Sequence, residues 1–132
     1  MTESLARAEI VRRRRDVARV KRVGMKVGTR YLSLRCAPSP DSPTDNPALP
    51  DLPTRRVAFL LPRGVGNAVA RNRLKRRLRE IFRRNKEWFP AGYDYLIQPT
   101  VAAGKLPFAV LLEHTLRATE VQRTKQQGQS NG

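Results

Sequence analysis

The sequence predicts a single α+β domain in which helices pack on a mostly antiparallel β-sheet. The chain of 132 residues is long enough for one domain with one hydrophobic core. Short alternating or apolar segments indicate three strands, and longer segments with a 3.6-residue apolar period indicate helices. Their order is helix, strands, helix, strand, helix, which predicts a two-layer α/β sandwich.

The first third of the chain predicts a helix and a strand after a flexible start over residues 1–9. The helix runs from Asp16 to Val23, with Val17 and Val20 on one side and Gly24 at its end. Residues 29–37, TRYLSLRCA, alternate and predict a half-buried strand. One side of this strand carries Tyr31, Ser33 and Arg35, and the other carries Leu32, Leu34 and Cys36.

Residues 38–54, PSPDSPTDNPALPDLPT, interrupt the regular pattern. They contain six prolines and three aspartates, and neither lysine nor arginine. Proline removes the backbone donor that helices and sheet ladders need. The segment is therefore expected to be a long exposed loop within the domain.

The second half of the chain predicts a strand over 55–62, a helix from 68 to about 88, a strand over 93–99 and a helix from about 107. Asn67 is placed to cap the first of these helices. The apolar stripes are Leu74, Leu78, Ile81, Phe82 and Trp88 in the first helix, and Phe108, Leu111, Leu112 and Leu116 in the second. The domain is expected to span 10–122, followed by a flexible polar tail over 123–132.

The charge of the chain indicates a polyanionic partner. Lysine and arginine number 27 against 11 acidic residues, which gives a net charge of +16. Ten cations lie in residues 7–30 and another ten in residues 63–86, so the charge is concentrated in two regions. Such a surface suits nucleic-acid phosphates, with steep salt dependence, or else a membrane surface.

Other features of the sequence narrow the class of protein. No apolar run is long enough for a transmembrane helix, and the basic N-terminus lacks the apolar stretch of a secretory signal, so the cytoplasm is the expected location. The single cysteine, Cys36, excludes an internal disulfide and a CxxC metal site, and its inward position in the strand predicts a buried thiol.

The segment ARNRLKRRLRE, residues 70–80, carries the most concentrated charge. Between residues 71 and 86 nine cations face one acid, Glu80. A solvated helix face normally mixes charges of both signs, so this pattern favours a binding surface. A helix lying on a membrane is disfavoured because its apolar stripe is needed to cover the sheet. Arg71 projects near the apolar stripe and is expected at the rim of the sheet.

These residues resemble a known family. GNAVARNRLKRRLREIFR, residues 66–83, is similar to the signature of the bacterial ribonuclease P protein subunit. RRRRDVARVKRVGMKVGTRYLSL resembles the family's basic N-terminal helix and first long strand, and GYDYLIQP resembles the strand after the signature helix. The resemblance covers about residues 10–120.

The resemblance implies both fold and function. The fold would be ribosomal-protein-S5-domain-2-like, with the element order α-β-β(-β)-α-β-α and a left-handed βαβ crossover around the signature helix, against the usual right-handed rule. The protein would be a subunit of an endoribonuclease in which a catalytic RNA, with Mg²⁺, removes the 5′ leader of precursor tRNA. No catalytic or metal-binding residue is expected on the protein itself.

The resemblance also implies two sets of binding residues. Those that would meet the catalytic RNA are Arg71, Asn72, Arg73, Lys75, Arg76, Arg79 and Arg83. Those that would line a cleft for the single-stranded leader are Val17, Lys21, Arg30, Tyr31, Ser33 and Arg35. The family often has aromatic residues where Val17, Lys21 and Arg35 stand, so leader binding here is expected to be more electrostatic.

Two other functions remain open on residues alone. A structural rRNA- or DNA-binding protein, such as a ribosomal protein, has a similar composition, and only the signature argues against it. A protein-only nuclease would need clustered carboxylates or an acid–base pair. His114 is the single histidine and lies near core positions, and Asp94 and Glu80 are isolated in the sequence, so all three are expected to be structural.

Overall fold

The computed structural model describes residues 14–38 and 55–130, with side chains up to residue 128. The described chain is mixed α+β, as predicted, and contains three α-helices and four strands. The predicted flexible start at 1–9 and the predicted loop beyond Pro38 lie outside the described residues.

The N-terminal part contains one helix and a hairpin. The helix α1, Arg14–Val23, ends at Gly24 as predicted, and β1, Met25–Gly28, follows at once. The next strand, β2, is Leu32–Pro38, so the residue pattern, which predicted one strand over 29–37, missed β1. The element order implied by the resemblance allows this third strand before α2. Residues 29–31 form the turn between them, in which the Thr29 amide donates to the Leu32 carbonyl (2.8 Å). A four-residue strand has too short a pattern to stand out.

The remaining elements follow the predicted order. They are β3, Arg56–Phe59; α2, Ala68–Arg84; β4, Tyr93–Pro99; and α3, Phe108–Ser130, with short 3₁₀ segments at Arg63–Val65, Lys86–Trp88 and Val101–Lys105. The predicted strand over 55–62 is shorter, and the predicted helix to about 88 ends in a 3₁₀ segment. Asn67 caps α2, because its Oδ1 accepts a hydrogen bond from the Ala70 amide (3.0 Å).

The four described strands form one sheet in the order β1-β2-β4-β3. The β1–β2 and β2–β4 pairs are antiparallel, whereas β3 and β4 are parallel and connected through α2. The mostly antiparallel sheet is thus confirmed. The left-handed sense of the β3–α2–β4 crossover stays a prediction.

The sheet has two differently covered faces. The main core lies between one face and the helices α2 and α3, and it contains Leu34, Val57, Leu78, Ile97 and Leu111. On the other face Val20 of α1 packs on Ala37 and Leu96. The helix α1 therefore adds a small third layer to the predicted sandwich.

The helix α3 is longer than predicted. It continues to Ser130, so residues 123–130 of the predicted flexible tail are helical. Gln122 and Gln126 are buried against the sheet. The Gln122 amide donates to the carbonyls of Met25 (3.1 Å) and Leu34 (3.3 Å), and the Gln126 amide lies 3.2 Å from the Tyr95 hydroxyl. The polarity of this segment predicts a tail, but the sheet supplies partners for its amides and the helix continues.

Candidate nucleic-acid interface

One side of α2 presents a row of side chains that have no partner among the described residues. Its opposite side is buried through Leu74, Leu78, Ile81 and Phe82, as predicted. The exposed residues, called here the α2 ridge, are Asn72, Arg73, Lys75, Arg76 and Arg79. None of these five side chains makes a hydrogen bond or ion pair with another described residue. The buried stripe fixes the helix on the sheet, and the cations of the ridge remain available to an external anion.

Arg71 and Arg77 lie on the same helix but bind the protein itself. Arg71 is half-buried at the rim of the sheet, where the sequence placed it, and donates to the carbonyls of Pro62 (2.7 Å) and Leu61 (3.4 Å). Arg77 donates to the Leu106 carbonyl (2.8 Å). Both guanidinium groups therefore hold loops against α2.

Glu80 binds two arginines at the C-terminal end of α2. Its carboxylate contacts the guanidinium groups of Arg83 and Arg84. The pKa of Glu80 is lowered, chiefly because Arg83 donates a hydrogen bond to the carboxylate. Arg83, which was predicted to meet RNA, is half-buried and ion-paired, unlike the five residues of the ridge.

The opposite face of the sheet contains a buried carboxylate. Asp94 of β4 is fully buried and accepts hydrogen bonds from Arg19 of α1 (2.6 Å) and, in a bidentate arrangement, from Arg56 of β3 (2.9 and 2.7 Å). Arg19 also donates to the Pro38 carbonyl (2.8 Å). These contacts, called here the Asp94 clamp, tie α1 to β2, β3 and β4. The prediction that Asp94 is structural is confirmed.

Arg19 and Arg56 were not singled out from the sequence. A signal was present, since an aspartate inside an otherwise apolar strand needs a cationic partner if it is buried. The sequence did not show which cation this partner is, because Arg19 and Asp94 are 75 residues apart.

The strand register arranges the face that carries α1 into rows across the sheet. Asp94 pairs with Ala37, and Leu96 pairs with Arg35. Beyond them Ser33 pairs with Gly28 on one side and with Gln98 on the other, and these three residues are called here the open row. Side chains directly opposite each other in a sheet share a face, so the open row lies on the α1 face and beyond the part that Val20 covers.

The structure brings together most of the residues predicted for the leader cleft. Ser33 and Arg35 are half-buried on the α1 face, and Val17 packs beside Val20. Lys21 is exposed one turn after Val17, on the flank of α1 opposite Arg19. Because Arg19 reaches the Asp94 end of the strands, the flank with Lys21 lies toward the open row.

Two predicted cleft residues lie elsewhere. Tyr31 was expected on the same face as Ser33 and Arg35, but it precedes β2 and packs against the main core on the other side. Its ring meets the His114 ring of α3 edge-on, with centroids 4.7 Å apart. Arg30 is exposed in the same turn, with its guanidinium 5.7 Å from the centre of the Tyr31 ring. The turn at 29–31 breaks the alternation on which the prediction relied.

The residues considered for protein-based catalysis occupy structural positions. Cys36 is buried, as predicted, and burial raises the pKa of its thiol to about 11. His114 is half-buried beside Tyr31. Among the described residues no group of three histidine, cysteine or acidic side chains is placed to hold a metal ion.

Comparison with known proteins identifies the family. The model of the family described as Ribonuclease P matches residues 5–122. The chain belongs to the ribonuclease P protein family. The protein component of Syntrophobacter fumaroxidans is 38% identical over 92 residues, 69% of this chain and 68% of that protein. That of Thermotoga maritima is 34% identical over 99 residues, 75% of each chain.

The ribonuclease P protein of Thermotoga maritima also has a solved structure to which this fold is similar. The two superpose with a TM-score of 0.67 and 27% identity, over 83% of this chain and 93% of that one. Membership makes this chain a subunit of a ribonuclease P holoenzyme, whose partner is the ribonuclease P RNA. Within the described ranges no helix is both long and apolar enough to cross a membrane.

Proposed function

We propose that this ribonuclease P protein binds the catalytic RNA through the α2 ridge and the 5′ leader of precursor tRNA on the α1 face of the sheet. It thereby assists the removal of the leader that gives the mature 5′ end of the tRNA. The observation that carries the proposal is the α2 ridge, in which four cations and an asparagine lack any partner among the described residues, on a helix whose other side is buried.

The chemistry of the ridge favours phosphate. Arginine donates two parallel hydrogen bonds to a phosphate, and each phosphate neutralised releases condensed counterions. Mutual repulsion among Arg73, Lys75, Arg76 and Arg79 is relieved when they bind a polyanion. RNA binding at this surface thus stabilises a charge arrangement that is unfavourable in the free protein.

The second part of the proposal concerns the leader. A single strand needs a groove with cations for its backbone and an open surface for its bases. Lys21 and Arg35 provide cations beside the open row, and the sheet provides a flat floor. The RNA-binding ridge and this floor lie on opposite faces of the sheet, so one chain contacts catalytic RNA and substrate at once.

The cleavage step is assigned to the RNA. Mg²⁺ would support hydrolysis there by stabilising charge on the reacting phosphate. The described residues do not offer an all-protein site, since their carboxylates are not grouped for such an ion. The protein residues bind and orient the RNA strands, in the cytoplasm.

The test is reconstitution. Purified protein alone should leave precursor tRNA intact, and together with catalytic RNA it should lower the Mg²⁺ and salt requirement for cleavage. Cleavage of precursor tRNA by the protein in the absence of RNA would contradict the proposal.

A titration separates the proposal from a general rRNA- or DNA-binding role. Affinity should be higher for the catalytic RNA than for duplex DNA or an rRNA fragment of equal length at the same salt concentration. Equal affinity for all three would favour a structural nucleic-acid-binding protein instead.

A further inference from the structure

The Asp94 clamp holds one flank of α1, and the other flank carries a cation of the proposed leader site. Successive residues of an α-helix are about 100° apart, so Arg19 and Lys21 project to opposite sides of Val20. Val20 is buried against the sheet, Arg19 is half-buried and Lys21 is exposed. The clamp and Lys21 are therefore connected through the backbone of a single helix.

The apolar contact between α1 and the sheet is small. The helix has ten described residues, and an isolated helix of that length is marginally stable in water. Its apolar contact consists of Val17 and Val20, which pack with Ala37, Ala58 and Leu96. Alanine side chains form shallow ridges and give a helix little to interlock with. This contact holds α1 on the sheet but leaves its rotation about its own axis weakly determined.

The clamp supplies the missing constraint. Among the described residues Arg19 is the side chain of α1 that hydrogen-bonds to the sheet. Its Nη2 donates to Oδ2 of Asp94 (2.6 Å) and its Nη1 donates to the Pro38 carbonyl (2.8 Å). Asp94 is fully buried and is held by Arg56 as well. Two bonds from a planar guanidinium to two different strands fix the rotation of α1 on the sheet.

We propose that Arg19 is a positioning residue for the leader site: by fixing the rotation of α1 it places Lys21 beside the open row. The inference rests on the proposed leader site. Arg19 itself makes no contact with RNA. Without its two bonds α1 can roll on its valines, and the ammonium group of Lys21 is spread over a range of positions. The leader then has to order the helix as it binds, and its affinity falls.

The test uses the reconstituted holoenzyme and two precursors. One precursor has a long leader, and the other has a leader of a single nucleotide, which keeps the bond to be cleaved but offers no strand to the floor. Arg19→Met keeps the length of the side chain and removes both hydrogen bonds, whereas Arg56 still neutralises Asp94. KM for the long-leader precursor should rise roughly threefold to fivefold, as expected for the loss of one exposed charge pair. Both kcat values and KM for the short-leader precursor should be unchanged.

The matched control is Arg117→Met, the same change at a helix arginine whose ion pair with Glu113 is exposed. It should leave KM unchanged for both precursors. A rise of KM for the long-leader precursor as large as that of Arg19→Met would contradict a specific role of Arg19.

A double-mutant cycle separates positioning from a general loss of structure. If Arg19 acts through Lys21, Lys21→Met should raise KM for the long-leader precursor in the wild-type protein but have little further effect in Arg19→Met. Effects that multiply would show that the two residues act independently and would overturn the proposal. An equal rise of KM for both precursors in Arg19→Met would also overturn it, and so would no rise for either.

A second variant keeps the proposal testable if the methionine variant folds poorly. Arg19→Lys keeps the charge beside Asp94, but its single nitrogen does not reproduce the contact with two strands. KM should rise about twofold for the long-leader precursor alone, and an unchanged KM would overturn the proposal. If the wild-type holoenzyme has the same KM for both precursors, the leader site itself is wrong. That result is obtained before any variant is made, so it is distinguishable from a failure of the role of Arg19.

Discussion

The two faces of the sheet use the same residue type in opposite circumstances. Arg19 and Arg56 lie on the α1 face with their guanidinium groups bound to Asp94, which is fully buried. Arg73, Arg76 and Arg79 lie beyond the other face, on α2, and have no acceptor in the described protein. The two groups of arginines differ in whether the described protein provides an acceptor for the guanidinium group. An arginine beside a buried carboxylate completes the fold, and an arginine without one is available to RNA.

The largest effect should come from removing the acceptor of the Asp94 clamp. Replacing Asp94 with alanine leaves two guanidinium groups next to a buried space and should lower the free energy of unfolding by about 3–5 kcal/mol. Urea denaturation measures this loss. The control is Glu113→Ala, which breaks an exposed ion pair with Arg117 and should cost less than about 1 kcal/mol. Similar losses in the two variants would contradict the clamp.

Removing cations from the α2 ridge should change RNA binding without changing the fold. In the Arg73→Ala, Arg76→Ala double variant the slope of log affinity against log salt should fall by about one unit per lost phosphate contact. Stability should stay within about 0.5 kcal/mol of wild type, because both side chains are exposed. Filter binding across a salt series measures the slope. An unchanged slope would mean that these side chains do not touch phosphate.

Arg71 lies on α2 like the ridge arginines, but its guanidinium is bound within the protein like those of Arg19 and Arg56. Its substitution therefore tests the comparison between the two groups of arginines. Its guanidinium donates a short hydrogen bond to the Pro62 carbonyl (2.7 Å) and a long one to the Leu61 carbonyl (3.4 Å). One strong hydrogen bond of a charged group contributes about 1.5–3 kcal/mol, so Arg71→Ala should lower stability by about that amount, with a smaller change in salt slope than any ridge variant. The matched control is Lys75→Ala, which removes one exposed cation from the ridge of the same helix. A full-unit change in slope with unchanged stability would place Arg71 with the ridge.

The smallest effect is expected where Glu80, which contacts both Arg83 and Arg84, loses its charge. Glu80→Gln removes the charge that holds Arg83 and Arg84, so RNA affinity should rise and the salt slope should steepen. The same release should occur in the wild-type protein at acid pH. Because the pKa of Glu80 is lowered in the folded state, its stabilising contribution is present above the ordinary value of 4.5 and is lost as pH falls below it. Weaker binding by the variant would show that Glu80 positions these arginines for RNA.

Most features of α2, the helix that carries the ridge, could be predicted from the sequence. The spacing of Leu74, Leu78, Ile81 and Phe82 decided which side of α2 is buried, and with it which cations are exposed. Local periodicity is sufficient for this because every residue involved lies within a few turns. The same reasoning placed Arg71 at the rim of the sheet.

Contacts between distant parts of the chain could not be predicted from the sequence. The partner of Asp94 is 75 residues away, and the turn that carries Tyr31 to the other face depends on the β1–β2 hairpin. In α3 the polar residues after 122, Gln126 among them, suggested a flexible tail, but Gln126 is buried and so is Gln122, one turn before it. They are buried because their amides bond to groups of β1, β2 and β4. A polar side chain is compatible with burial once its partners are known, and sequence alone does not supply them.

The bond between Gln122 and Met25 spans 97 residues and has a consequence for folding kinetics. The β1–β2 hairpin and the C-terminal part of α3 pack against each other. Neither is therefore fully packed before nearly the whole chain has been synthesised. Folds dominated by such distant contacts form slowly. During that interval a chain of charge +16 is exposed to the RNA around it. Binding of other RNA by the unfolded chain would then compete with folding. Synthesis of the protein at the same time as the catalytic RNA would favour binding to the catalytic RNA.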